Sequence, residues 1–118
     1  MMSDKIKVYQ KPTCSKCRQT LARLNECGVE FESINYYQTP LDEEGLRELV
    51  HQLGIPAREL LRRNEAVYRE LELGKRDLTD DELIRLMIAH PDLMQRPIVV
   101  RGDKAVVARP LENLDKLL

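Results

Sequence analysis

Residues 5 to 10, Lys-Ile-Lys-Val-Tyr-Gln, alternate polar and apolar side chains, as a short strand with one buried face does. From Ser15 the period lengthens: Cys17, Leu21, Leu24 and Cys27 fall on one helical stripe, and Gly28 supplies a stop. Strand-like composition resumes from Val29 to Tyr37, with Phe31, Ile34, Tyr36 and Tyr37. This order predicts a β-α-β unit with parallel strands and a right-handed crossover.

The middle of the chain is patterned for helices. Asp42 is placed to cap a helix with Glu43 and Glu44 in its first turn and Leu46, Leu49, Val50 and Leu53 on its apolar face, ending at Gly54. Pro56 opens a short helix carrying Leu60 and Leu61, and Asn64 marks a turn before Val67, Tyr68 and Leu71. Thr79-Asp80-Asp81-Glu82 spells a capping box for a further helix through Leu83, Leu86 and Met87, closed by His90-Pro91. Two β-branched runs, Arg96 to Arg101 and Lys104 to Arg109, flank Gly102-Asp103 as an antiparallel hairpin. Pro110 then starts a closing helix through Leu111, Leu114 and Leu117. The expected fold class is α/β: β-α-β, a packed helical insert at about 41–92, then β-β-α around a small mixed sheet, all in one domain spanning 1–118.

Composition narrows what such a domain does. The 118 residues are 42% hydrophobic and 33% charged, enough for one compact core. A formal net charge of -1 offers no global field for nucleic acid, so any anion site must be local. No apolar leader or membrane-length run stands out, and an odd count of three cysteines does not suit a secreted disulfide framework. The expected location is cytoplasmic, where thiols stay reduced. Cys27 stands alone and His51 and His90 are isolated, so no metal set and no tightly bound cofactor is expected.

That leaves the C-x-x-C of Cys14 and Cys17. Cys14 stands where a strand hands over to a helix, facing unpaired backbone N–H groups, with Lys11, Lys16 and Arg18 adding positive field. Pro12 limits the geometry just upstream. These features favour a thiolate nucleophile at Cys14. A phosphatase-type Cys-x5-Arg loop does not fit, because the arginine position after Cys14 is Thr20, and the Cys17 to Arg23 interval is helical and lacks glycine. Cys27, on the apolar stripe, is expected to be a small core residue.

The chain resembles the glutaredoxin-linked arsenate reductase (ArsC) family of thioredoxin-like proteins. The residues carrying the resemblance are Cys14 after Lys-Pro-Thr, Leu60-Leu61-Arg62-Arg63-Asn64, His90-Pro91 followed by Arg96-Pro97-Ile98-Val99-Val100, and Ala108-Arg109-Pro110. The resemblance implies a thioredoxin-like fold, Cys14 as nucleophile towards arsenate or a similar oxyanion, and Arg62, Arg96 and Arg109 as its three anion-binding arginines. It also implies glutathione as reducing co-substrate, glutaredoxin or thioredoxin as protein partner, and a cis bond before Pro97. Guanidinium forks suit a tetrahedral oxyanion because they are planar and stay charged at every physiological pH.

Two positions depart from the family's enteric pattern. Cys17 stands where those members have serine, and could resolve a Cys14 adduct as an internal disulfide or act as a redox switch. Gln10 stands where they have histidine, which shifts thiolate stabilisation onto the helix terminus, Lys11 and the arginines. The C-x-x-C is also the mark of the related Spx regulators, so the competing expectation is a redox sensor that binds RNA polymerase.

Overall fold

The computed structural model describes residues 6–11 and 14–117; Pro12 and Thr13, with the restraint expected of Pro12, lie outside them. Four strands, β1 (Ile6–Gln10), β2 (Phe31–Asn35), β3 (Ile98–Arg101) and β4 (Lys104–Val107), form one sheet in the order β2-β1-β3-β4. β1 pairs parallel with β2 and antiparallel with β3, and β3 pairs antiparallel with β4, giving the mixed sheet of a thioredoxin-like fold. The turn between β3 and β4 uses Gly102 at φ 64, a left-handed conformation that costs glycine little.

The chain divides into two compact units, one made of residues through Thr39 together with Arg96–Leu118 and the other of Pro40–Gln95. In the first, alternation along β1 buries Ile6 and Val8 against Leu24 of helix α1 (Ser15–Glu26), Val99 of β3, and Ala108, Leu114 and Leu117. Burial of such side chains contributes on the order of 1.5–3 kcal/mol each, and this core fixes where the start of α1 lies against the sheet. The closing helix, Leu111–Lys116, is a six-residue 3-10 helix rather than an α-helix, the form short terminal segments commonly take. Cys27 corrects one expectation: α1 ends at Glu26, so Cys27 is its exposed C-cap and not a core residue.

The second unit is helical. Helix α2 (Glu43–Leu53) starts where the Asp42 carboxylate accepts from Gly45 N at 2.7 Å and ends at Gly54, left-handed at φ 67. A 3-10 turn, Ala57–Leu60, follows Pro56, and α3 (Ala66–Glu70) is a short helix after the Asn64 turn. Helix α4 (Asp80–Ala89) begins with the expected capping box: Glu82 N donates to Thr79 Oγ1 at 3.2 Å and Thr79 N donates back to Glu82 Oε1 at 3.1 Å. Leu46, Leu49, Leu60, Leu83, Ile84 and Met87 are buried. Arg58 donates to Leu73 O at 3.0 Å and Arg76 O at 2.7 Å. Among the described residues no helix is long and apolar enough to cross a membrane.

Candidate active site

Cys14 is the N-cap of α1, with extended backbone at φ -87 and ψ 122. In that position its sulfur takes the role that serine or aspartate oxygen fills in ordinary caps: Cys17 N donates to Cys14 Sγ at 3.4 Å. The cap is pinned on both sides, Cys14 N donating to Lys11 O at 2.9 Å and Arg18 N to Cys14 O at 3.1 Å. Cys14 remains partly accessible, whereas Cys17, three residues on, is fully buried; both are free thiols.

Arg109 approaches from the end of β4. Its Nη2 donates to Cys14 Sγ at 3.8 Å while its Nε donates to Arg96 O at 2.7 Å, so one guanidinium ties the Cys14 sulfur to the segment entering β3. Asn113 holds the Arg109 backbone in turn, donating from Nδ2 to Arg109 O at 3.2 Å and to Val107 O at 2.9 Å. The peptide bonds Arg96-Pro97 and Arg109-Pro110 are both cis, the first as the family resemblance implies.

The two sulfurs are driven apart in acidity. Partial burial pushes the Cys14 thiol up, but hydrogen bonds from Cys17, from Arg109 and from the backbone of the first helical turn outweigh it and lower the thiol to about 7. Burial dominates at Cys17, and the neighbouring Cys14 adds to it, raising that thiol to about 11. One partly accessible, readily ionised sulfur therefore sits beside one buried, protonated thiol.

Arg96 is the unusual group. It is only 7% exposed, and its Nε and Nη1 make no hydrogen bond. Burial works against its charge, yet Tyr36, Tyr37 and Cys14 more than compensate and hold it firmly cationic. Each unpaired buried N–H of this guanidinium carries a desolvation cost until an acceptor arrives.

Of the predicted site residues, Cys14, Cys17, Arg96 and Arg109 share the sheet unit. Arg62 belongs to the helical unit, where it follows the Ala57–Leu60 turn, its N donates to Leu93 O at 2.7 Å, and its Nη1 lies 3.3 Å from the Glu65 carboxylate. Gln10 points its amide at β2, Nε2 donating to Ser33 Oγ at 2.9 Å, and so gives the sulfur no imidazole-like partner. Lys11 places its Nζ 4.9 Å from the centre of the Tyr37 ring. Sequence reasoning missed Tyr36, a buried phenol beside Arg96 that strand composition alone does not distinguish from its neighbours.

With this geometry in place, comparison with known proteins is decisive on family. The ArsC family model matches residues 9–117, and the chain belongs to that family, a class of thioredoxin-like reductases. Among relatives, the protein YfgD of Escherichia coli (strain K12), which is uncharacterised, is 46% identical over 114 residues, 96% of each chain. An arsenate reductase of Neisseria meningitidis (serogroup A, strain Z2491) is 40% identical over 96% of this chain and 97% of its own. Among solved structures, an arsenate reductase from Vibrio cholerae superposes with a TM-score of 0.92 at 39% identity, covering 99% of this chain and 100% of that one. Family and fold together support a thiol-based reductase of the ArsC type.

Proposed function

We propose that this protein is an arsenate reductase in which the Cys14 thiolate attacks arsenate held by Arg96 and Arg109, with Arg62 as the third cation that the family resemblance implies. The observation carrying this reading is Arg96, buried with two unpaired guanidinium donors next to an ionised sulfur. A thiolate and an oxyanion repel one another. Fixed guanidinium groups offset that repulsion where charge accumulates, so the protein contributes chiefly electrostatics and alignment.

The Cys14 sulfur displaces one oxygen of arsenate, which leaves as water after protonation, and forms a sulfur-arsenic bond. A second thiol attacks the Cys14 sulfur; the sulfur-arsenic pair of electrons passes to arsenic, releasing arsenite and leaving a disulfide. Glutathione is the second thiol in the glutaredoxin-linked route, and glutaredoxin then reduces the mixed disulfide. Cys17 is the second thiol in the alternative route, which leaves an internal disulfide for thioredoxin or glutaredoxin. Since burial keeps Cys17 protonated, that route requires it to lose its proton as it attacks. Residues 1–118 act as one ArsC-type domain in the cytoplasm, with about 41–92 as its helical insert.

The test is turnover with each donor supplied in turn. Arsenate-dependent consumption of reductant with glutathione and glutaredoxin, or with thioredoxin, is expected from the wild type and should vanish in Cys14→Ser. No arsenate-dependent consumption with any donor would end the enzymatic reading, and redox-dependent capture of RNA polymerase would then favour the regulator.

A further inference from the structure

Tyr36 follows directly on β2 and is only 3% exposed, yet its hydroxyl makes no hydrogen bond. Buried phenols ordinarily find a partner, and an orphan one needs a reason. Loose packing is not that reason. The backbone around Tyr36 is held by a tight turn in which Tyr37 N donates to Asn35 Oδ1 at 3.0 Å, while Gln38 N and Thr39 N donate to Asn35 O at 3.0 and 2.9 Å. The ring also packs on Tyr37, with centroids 4.9 Å apart.

The neighbour of that hydroxyl is Arg96, whose Nε and Nη1 are equally without partners. A guanidinium can only donate. The phenol oxygen lies close enough to favour the guanidinium's charge, yet the contact falls short of full hydrogen-bond geometry, and accepting it would still leave the phenol O–H free to donate. Two adjacent buried groups thus keep donors open, and Arg96 in turn neighbours Cys14. One acceptor with several oxygens, arriving at the sulfur, would satisfy both.

We infer that Tyr36 is an anion-binding residue, its hydroxyl donating to an oxygen of the tetrahedral oxyanion that Arg96 holds against Cys14. This rests on the anion-site reading given above and adds a neutral donor to its cations. Burial raises the Tyr36 phenol above its ordinary value, so it keeps its proton at neutral pH and remains a donor. A neutral donor also fills out the coordination of the anion without adding charge to a site already crowded with guanidinium groups.

The experiment uses sulfate, an unreactive tetrahedral anion, to protect Cys14 of the reduced full chain from iodoacetamide. Wild type should be protected in a saturable way. Tyr36→Phe, which keeps the ring, should need about ten-fold more sulfate for half protection, the cost expected on losing one hydrogen bond to a charged partner. Equal sulfate requirements in the two proteins would overturn the role of Tyr36 while leaving the arginine site standing; absence of protection in wild type would remove both. A second readout needs no variant: in wild type labelled with 13Cζ-tyrosine, the Tyr36 resonance should move on sulfate addition. If Tyr36 served only to position Arg96, Tyr36→Phe would weaken protection while that resonance stayed put in wild type, and the inference would fall.

Discussion

In the helical unit polar groups close on one another: Asp42 caps α2, Thr79 and Glu82 exchange hydrogen bonds at the start of α4, and Arg85 and Arg47 pair with Glu43 and Asp81 on the surface. Among the described residues of the sheet unit Gln10 Oε1, Thr20 Oγ1, Tyr36 Oη and two nitrogens of Arg96 are buried without a hydrogen bond, whereas in the helical unit only Arg62 Nη1 is, and it has the Glu65 carboxylate 3.3 Å away as an ion-pair partner. Each such atom costs on the order of 1–3 kcal/mol to leave unmet. Three of the five open atoms of the sheet unit belong to Arg96 and Tyr36, near the Cys14 sulfur, where under the proposed function an arriving oxyanion would relieve that cost. Under the proposed function, the contrast separates residues kept for stability from residues kept for chemistry.

The largest effect should come from breaking the packed side of this comparison. Leu60 is fully buried in the helical unit, and Leu60→Ala should destabilise the protein by about 2–5 kcal/mol in denaturant unfolding. Arg96→Met should do the reverse. It exchanges an unpaired buried cation for an apolar chain of similar reach, so the unfolding midpoint should hold or rise, while kcat/KM for arsenate falls about 100-fold or more. A variant that lost stability and kept activity would show that the open donors of Arg96 belong to the fold and not to the site.

A smaller effect sharpens the contrast between the two cysteines. Because Cys14 is lowered to about 7, its thiolate dominates above that pH and its thiol below. Alkylation by iodoacetamide should therefore rise through pH 7 and level off, with modification mapped to Cys14, while Cys17, raised to about 11, stays unmodified over the same range. Arg109→Ala removes one of the hydrogen bonds that lower Cys14 and should move the inflection upward by a fraction of a unit to about one unit. An inflection at an ordinary thiol value in wild type would mean that the cap geometry does not ionise the sulfur.

What was legible in the sequence follows the range of the forces involved. Strand alternation, the caps at Asp42 and Thr79, the Gly54 stop and the hairpin around Gly102 are set by neighbours a few residues apart, and local pattern carries them. Cys14 was legible for the same reason, since its activation begins with the helix it caps. Arg96 and Arg109 were reached only through family motifs: nothing local separates them from Arg58, which binds two carbonyls, or from Arg85 on the surface. Tyr36 was out of reach, because an orphaned hydroxyl is a property of how β2 and the segment entering β3 come together. Cys27 misled because a helical stripe does not say where the helix ends.

The central claim is that the open donors around Cys14 form a site for one oxyanion. Calorimetric titration of arsenate into reduced Cys14→Ser, which retains the cations but cannot form the sulfur-arsenic bond, tests it most directly. The account predicts saturable binding of one anion per chain that disappears when Arg96→Met is added. No binding by Cys14→Ser, or binding that survives the loss of Arg96, would contradict it.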